Sequence, residues 1–247
     1  MRYETLLKLT LIPMIALFWI SLVTIALSAL YWIYGDWVVP RYAKIYKNPT
    51  TRQGEVDDVF IDFTTPATDA SIVAGCLGVM TAIGAFVAFI KLRSQQMDSA
   101  YNAANRRFWN GFVFLLCASV IGSALAALIT YFTDVGNDQF GCLRQNSGRS
   151  GKTTFVNALC SRERAACGFL KEHLPRQPST SALDIARNDL TCTMTVAVKW
   201  LQPVLIVVTL LLVAMFAAQA FVRKRTRDER TEKDFDVDID AGVVTPM

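Results

Sequence analysis

Residues 200–222 read WLQPVLIVVTLLLVAMFAAQAFV, twenty-three positions without one charged side chain, followed at once by Arg223-Lys224-Arg225-Thr226-Arg227. A helix of that length, rising about 1.5 Å per residue, crosses a hydrocarbon layer of about 30 Å. A basic cluster directly after it marks where a span ends. Three more stretches have the same character, at 9–34, 70–90 and 108–132, and none of the four spans contains Asp, Glu, Lys, Arg or His. With 53% hydrophobic and 19% charged residues in 247, the chain is not a soluble globular domain. The expected fold class is an all-α membrane protein, a four-transmembrane-helix bundle with a small, disulfide-stapled, mainly helical outer loop.

Working outward from the spans, the chain divides into an N-terminal segment (1–8), a first outer segment (35–69), a connecting loop (91–107), a large outer loop (133–199) and a tail (223–247). Twelve Lys and Arg fall in about 50 residues on the side of both termini, against thirteen in about 102 on the other side. The denser side faces the cytosol. Both termini are therefore expected there, in the plasma membrane or a membrane of the secretory pathway. Tyr31, Trp32, Tyr34, Trp37, Trp109 and Trp200 stand at span ends, where aromatic belts form. The first span has too long an apolar region to be a cleaved signal peptide. The net charge of +4 is spread over both sides, so it offers no single surface for nucleic acid.

Without intramembrane ionisable groups, a pump or proton relay is disfavoured; a pore lined by hydroxyls or backbone is not. Small residues recur every four positions, Ala74, Gly78 and Ala82 in the second span and Ala118, Gly122 and Ala126 in the third. In lipid such faces let helix backbones approach closely, so these two spans are expected to pack on one another. Homo-oligomer contact is the sharper alternative for the same residues. Asn110 and Gln219 lie near enough to the inner surface to be solvated. Pro13 and Pro203 are placed in the first turns of their helices, where the missing N–H costs little.

Four of the six cysteines, Cys142, Cys160, Cys167 and Cys192, lie in the large outer loop; Cys76 and Cys117 are inside spans. An even number confined to an outer loop reads as two disulfides in an oxidising compartment, not as a zinc site. Leu159, Ala166, Leu170 and Leu174 repeat at helical spacing and predict a helix over 155–174. On such a helix Cys160 and Cys167 stand about 10.5 Å apart, too far to pair. The two bridges then tie this helix to Cys142 and to Cys192, with two pairings open. Ser181 and Asp184 predict the start of a second short helix over 182–190. In the first outer segment, 56–63 predicts a short strand, and Asn48-Pro49 and Thr65-Pro66 mark turns. The acidic run Glu55, Asp57, Asp58, Asp62 gives this segment the opposite sign to the large loop, so the two are expected to attract.

Several motifs imitate chemistry. Asn146-Ser147-Gly148-Arg149-Ser150-Gly151-Lys152-Thr153 resembles a phosphate-binding loop but has Asn146 where that pattern needs glycine. Asn48-Pro49-Thr50 fails as a glycan acceptor because of its proline. His173, the one histidine, reads as a surface residue beside Glu172. No cysteine pair has the Cys-x-x-Cys spacing of a thiol oxidoreductase. The expectation is a protein that is not an enzyme and takes no cofactor or metal. In the tail Arg223, Lys224, Arg225 and Arg227 are expected on anionic lipid headgroups. The acidic part from Asp234 to Asp240 is expected to be disordered, with strand addition to a partner as the alternative.

Four spans, a short outer segment first, and a second, larger loop with Ala166-Cys167-Gly168 beside Cys142, Cys160 and Cys192 together resemble the tetraspanin family. There the motif is Cys-Cys-Gly, so Ala166 stands where its first cysteine would be. Claudin-like proteins carry paired cysteines in the first outer segment, where this chain has none. The tetraspanin resemblance implies a non-enzymatic organiser that binds other membrane proteins laterally and presents a stapled outer surface. The alternative is a small channel or an accessory subunit of a transport complex.

Overall fold

The structure is a computed structural model describing residues 8–46, 56–93, 102–134, 136–151, 153–177 and 180–240, the last as backbone alone beyond 223. Helix α1 (Leu11–Ile33) runs into one wide turn, Tyr34–Val38; β1 (Tyr42–Tyr46) and β2 (Val56–Thr64) follow. Helices α2 (Pro66–Arg93) and α3 (Ala103–Thr133) lead to the hairpin β3 (Leu143–Ser150) and β4 (Thr153–Ser161). Four short helical pieces between Arg162 and Arg176 and the long helix α4 (Ala182–Asp240) complete the chain. Four of the described helices are long and apolar enough to cross a membrane.

The fold is not all-α. A four-stranded sheet in the order β1-β2-β4-β3 stands outside the bundle. The helix expected over 155–174 is a strand up to Ser161, because Thr153 to Val156 is β-branched and aromatic and pairs on both sides. Val156, Ala158 and Cys160 turn inward while Phe155, Asn157 and Leu159 turn outward, the period of a strand. Helical geometry begins only at Arg162. β2 coincides with the expected strand, and Pro66 opens α2, where its fixed φ and missing N–H suit the first turn.

The two outer segments do associate, but by backbone pairing. β2 and β4 run parallel in register from Val56↔Thr153 to Thr64↔Ser161. The acidic run is not the link: Asp58 Oδ1 is buried without a hydrogen bond, and the cross-segment ion pair joins Asp36 to Arg162. Against the inward face of the sheet lies a core of Val39, Val59, Ile61, Ala158, Phe169, Leu170 and Leu174. Asn48-Pro49 and Glu55 lie outside the described residues.

The expected second short helix is the start of α4, which continues unbroken into the fourth span. Ser181 and Asp184 form a reciprocal cap: Asp184 N donates to Ser181 Oγ (3.2 Å), and Ser181 N donates to Asp184 Oδ2 (3.1 Å). No Gly or Pro interrupts 191–199, and Thr191, Thr193 and Thr195 bond back to carbonyls four residues earlier. Pro203 thus sits deep inside a helix and not in its first turn. The tail backbone is helical to Asp240, where disorder or a strand was expected; 241–247 lies outside the described residues.

Helix α2 is central, packing on α1 and on α3. Its face Ala74, Gly78, Ala82 is buried, yet Gly78 meets α1: a methyl group there would overlap the Ser21 hydroxyl. Contact with α3 instead uses Gly84, against Leu116 and Phe112, and Thr81. The inward face of α3 is Val113, Cys117, Val120, Ala124, Ala127 and Tyr131. Consequently Ala118, Gly122 and Ala126 point outward, and a side chain on Gly122 would meet nothing within 4 Å.

Candidate functional site

The inward face of α1 follows a seven-residue pattern, Thr10, Met14, Leu17, Ser21, Thr24, Ser28, Tyr31, all buried. In water such a face would be apolar; here lipid takes the apolar sides and the hydroxyls face the other helices. In the half of the bundle away from the sheet, the core is Leu17, Leu92, Val113, Val120, Leu212 and Phe216. In the half next to the sheet, the buried residues include Ser21, Thr24, Ser28, Tyr31, Ser71, Tyr131, Thr195 and Gln202.

Part of this polar half is satisfied locally. Thr24 donates to Ile20 O (2.8 Å) and Ser71 to Ala67 O (2.8 Å), each a bond to the preceding turn. Ser71 also lies 3.3 Å from the Tyr131 hydroxyl, which is 3.3 Å from the Tyr31 hydroxyl, so three helices share one hydroxyl cluster. Gln202 is different. It is fully buried with neither Nε2 nor Oε1 hydrogen-bonded, and the Ser21 and Ser28 hydroxyls are likewise unpartnered. Each such group costs about 1–3 kcal/mol of desolvation. Farther in, Gln219 is buried and donates to Thr10, so it is not solvated as expected.

Above the hydroxyl cluster sits Arg162, 4% exposed. Its Nη2 donates to both oxygens of Asp36 at 3.1 Å, and its Nη1 donates to Thr68 Oγ1 at 2.8 Å. Its stem lies on Gly35, with the guanidinium carbon 5.4 Å from the centre of the Phe63 ring. Arg41 holds the same carboxylate at 3.0 Å. One guanidinium thereby joins the end of α1, the start of α2 and the end of β4. Charge-assisted bonds of this kind are strong, and removal of one partner strands a buried charge. A second tie links α4 to the helical pieces: Lys199 Nζ is 3.0 Å from Glu163 Oε1 and 4.6 Å from the centre of the Phe132 ring.

Two disulfides complete the attachment, Cys142–Cys160 and Cys167–Cys192. The first ties the exit of α3 to a strand, not to a helix; the second ties the helical pieces to α4. Asn188 Nδ2 donates to Ala166 O beside the second bridge (2.8 Å). Loops of 18 and 25 residues closed in this way each constrain the unfolded chain by about 3 kcal/mol.

The remaining candidates disperse. His173 is buried, not on the surface, with its ring 4.8 Å from Phe169 and 5.6 Å from Phe140. Burial lowers its pKa, and Nε2 has no hydrogen bond. The phosphate-loop imitation is the β3–β4 hairpin, turning at Gly151 (φ 59°), with a bulge between Asn146 and Gly148. That hairpin borders an open polar cleft of about 580 Å³ with Asp57 and Thr154. Arg223 donates to Leu92 O at the end of α2, while the side chains of Lys224, Arg225 and Arg227 lie outside the described residues. No group of three His, Cys, Asp or Glu gathers to hold a metal among the described residues.

The α1 hydroxyls are visible in the sequence as a polar heptad inside an apolar span, a signal that a search for charged residues passes over. Arg162 and Asp36 carry no comparable signal, being 126 residues apart. Four helices long and apolar enough to cross a membrane and two disulfides fit a four-span protein, and comparison with protein-family models, curated proteins and solved structures finds no match.

Proposed function

We propose that this chain is a non-enzymatic membrane organiser, with both termini in the cytosol, that presents a rigid ectodomain to neighbouring membrane proteins. One observation carries it: a sheet tied to the bundle by Arg162, on helical pieces held to α4 by Lys199 and Cys167–Cys192, leaves five large apolar side chains exposed on one face. A tether that only linked helices would need neither the ties nor the apolar face. The four-span topology and loop cysteines that resemble tetraspanins support the same reading.

A second reading, a channel or accessory transport subunit, draws on the polar half of the bundle, where Gln202 has unsatisfied donors and acceptors. One pair of measurements separates them. Cross-linking in native membranes is expected to trap the same neighbours repeatedly, and Phe60→Glu with Phe155→Glu is expected to lose them. Purified protein in liposomes is expected to be electrically silent. Conductance that Gln202→Leu abolishes, with no reproducible neighbours, overturns the organiser reading in favour of the channel.

A further inference from the structure

The outward face of the sheet is the least explained surface of the molecule. β2 and β4 both run toward the bundle: β2 ends one residue before α2, and β4 ends at Arg162, which binds Asp36 and Thr68. The strands therefore stand up from the membrane, and the sheet presents its faces sideways. The inward face is covered by Phe169, Leu170 and Leu174. The outward face carries Tyr42, Phe60, Phe155, Leu159 and Leu143, between 38% and 46% exposed. Lys44, Asp58, Asp62 and Asn157 stand among them on the same face, which is thus half apolar where a solvated face turns polar residues outward.

We infer that this face docks on the same face of a second copy in the same membrane. The inference rests on the organiser reading and names its partner. Register supplies the argument. Two copies in one membrane share their upright direction, so a two-fold axis normal to the membrane lays β2 of one copy over β4 of the other, with strands aligned as packed sheets require. Phe60 is level with Asn157, and Phe155 and Leu159 flank Asn157 two residues to either side. The ring of Phe60 then enters the gap between the partner's Phe155 and Leu159, and the exchange is reciprocal. The acids of β2, Asp58 and Asp62, meet β4, which carries no charge on this face, and never each other.

Area points to a membrane-held copy. Five side chains of roughly 200 Å², each about two-fifths exposed, give on the order of 400 Å² per copy. That is about half of what a stable soluble dimer buries on each side. It suffices where both copies are already confined to one plane at one height, because confinement removes much of the entropic cost of association.

The test uses the full chain in liposomes, with donor- and acceptor-labelled copies and a protein-to-lipid dilution series. Energy transfer is expected to saturate for the wild type, Phe60→Glu with Phe155→Glu is expected to weaken association at least tenfold, and Gly122→Leu is expected to leave it unchanged. Peptide mapping confirms that both native disulfides persist in each variant. Should the glutamate variant fail this control, a bismaleimide of about 10 Å is to join Phe60→Cys in one copy to Asn157→Cys in another, both in a Cys76→Ser background. Transfer no higher than for dispersed copies, transfer indifferent to the glutamates, absence of that cross-link, or loss of transfer in Gly122→Leu overturns the inference. If copies stay apart while native neighbours still depend on Phe60 and Phe155, self-docking fails and the organiser reading stands.

Discussion

The two halves of the helix bundle are filled by different chemistry. Away from the sheet, Leu17, Val113, Val120, Leu212 and Phe216 interlock as an apolar core, with the Gln219–Thr10 hydrogen bond as its buried polar pair. Beside the sheet, the same helices bury hydroxyls, a tyrosine pair, Gln202 and finally Arg162. In lipid an apolar core gains little from the solvent, since the tails are as apolar as leucine, and must rely on packing. A polar core gains direction, because each hydrogen bond accepts few geometries. The first half is thus mostly a generic bundle, and the polar half sets how the sheet region stands on it.

The largest effect is expected where the polar half meets the sheet region. Arg162→Ala leaves Asp36 with Arg41 alone and removes the tie to Thr68, a loss of about 3–5 kcal/mol for breaking a buried pair. Limited proteolysis should then cut the sheet region while the spans remain protected, and Arg162→Met with Asp36→Leu should recover part of the loss. A change below about 1 kcal/mol in thermal unfolding would remove the distinction between the halves.

Exchanging chemistry between the halves should give opposite signs. Leu212→Gln places an amide in the apolar half and is expected to destabilise by about 2–4 kcal/mol. Gln202→Leu removes two unpartnered polar atoms and is expected to stabilise by about 1–3 kcal/mol in micelles. A destabilising Gln202→Leu would mean that the amide has a polar guest. Glycines sharpen the contrast further. Gly78→Ala forces the Ser21 hydroxyl aside and should cost about 1–3 kcal/mol, whereas Gly122→Ala meets nothing and should be neutral or stabilise by up to about 1 kcal/mol. Unfolding midpoints of the pair decide it.

Much of this division was legible and some was misread for a physical reason. Four spans follow from length and lack of charge, because lipid tolerates little else. The loop disulfides follow from placement, while placement leaves two pairings open, and only the fold selects Cys142–Cys160 and Cys167–Cys192. Leu159 shares helical spacing with Ala166 and Leu170, but strand pairing with β2 and β3 overrides so short a pattern. Small residues spaced by four mark a buried stripe on α2 that meets α1 at Gly78 instead of α3, and an outward stripe on α3 at Gly122, because spacing marks a stripe and not the direction it points. The Asp36–Arg162 contact was beyond reach, since it exists only once β2 and β4 pair.

The smallest effect concerns another unsatisfied polar group, His173, which resembles Gln202 in being buried with an unpartnered nitrogen but differs in being able to titrate. Burial between Phe140 and Phe169 lowers its pKa; Glu172 and Asp138 oppose that, and Arg176 and Arg144 add to it. The fold therefore holds it neutral longer than the unfolded chain does. Above the ordinary imidazole pKa near 6.5 neither state binds the proton, and stability is independent of this group. As pH falls below that value the unfolded chain protonates first, so the ectodomain loses stability, by no more than about 1.4 kcal/mol per pH unit for one proton. Unfolding followed from pH 7.5 to 5 should show this slope, and His173→Phe should flatten it while keeping the ring contacts. A slope that survives the substitution would assign the acid sensitivity to carboxylates, and His173 would then be an ordinary core residue.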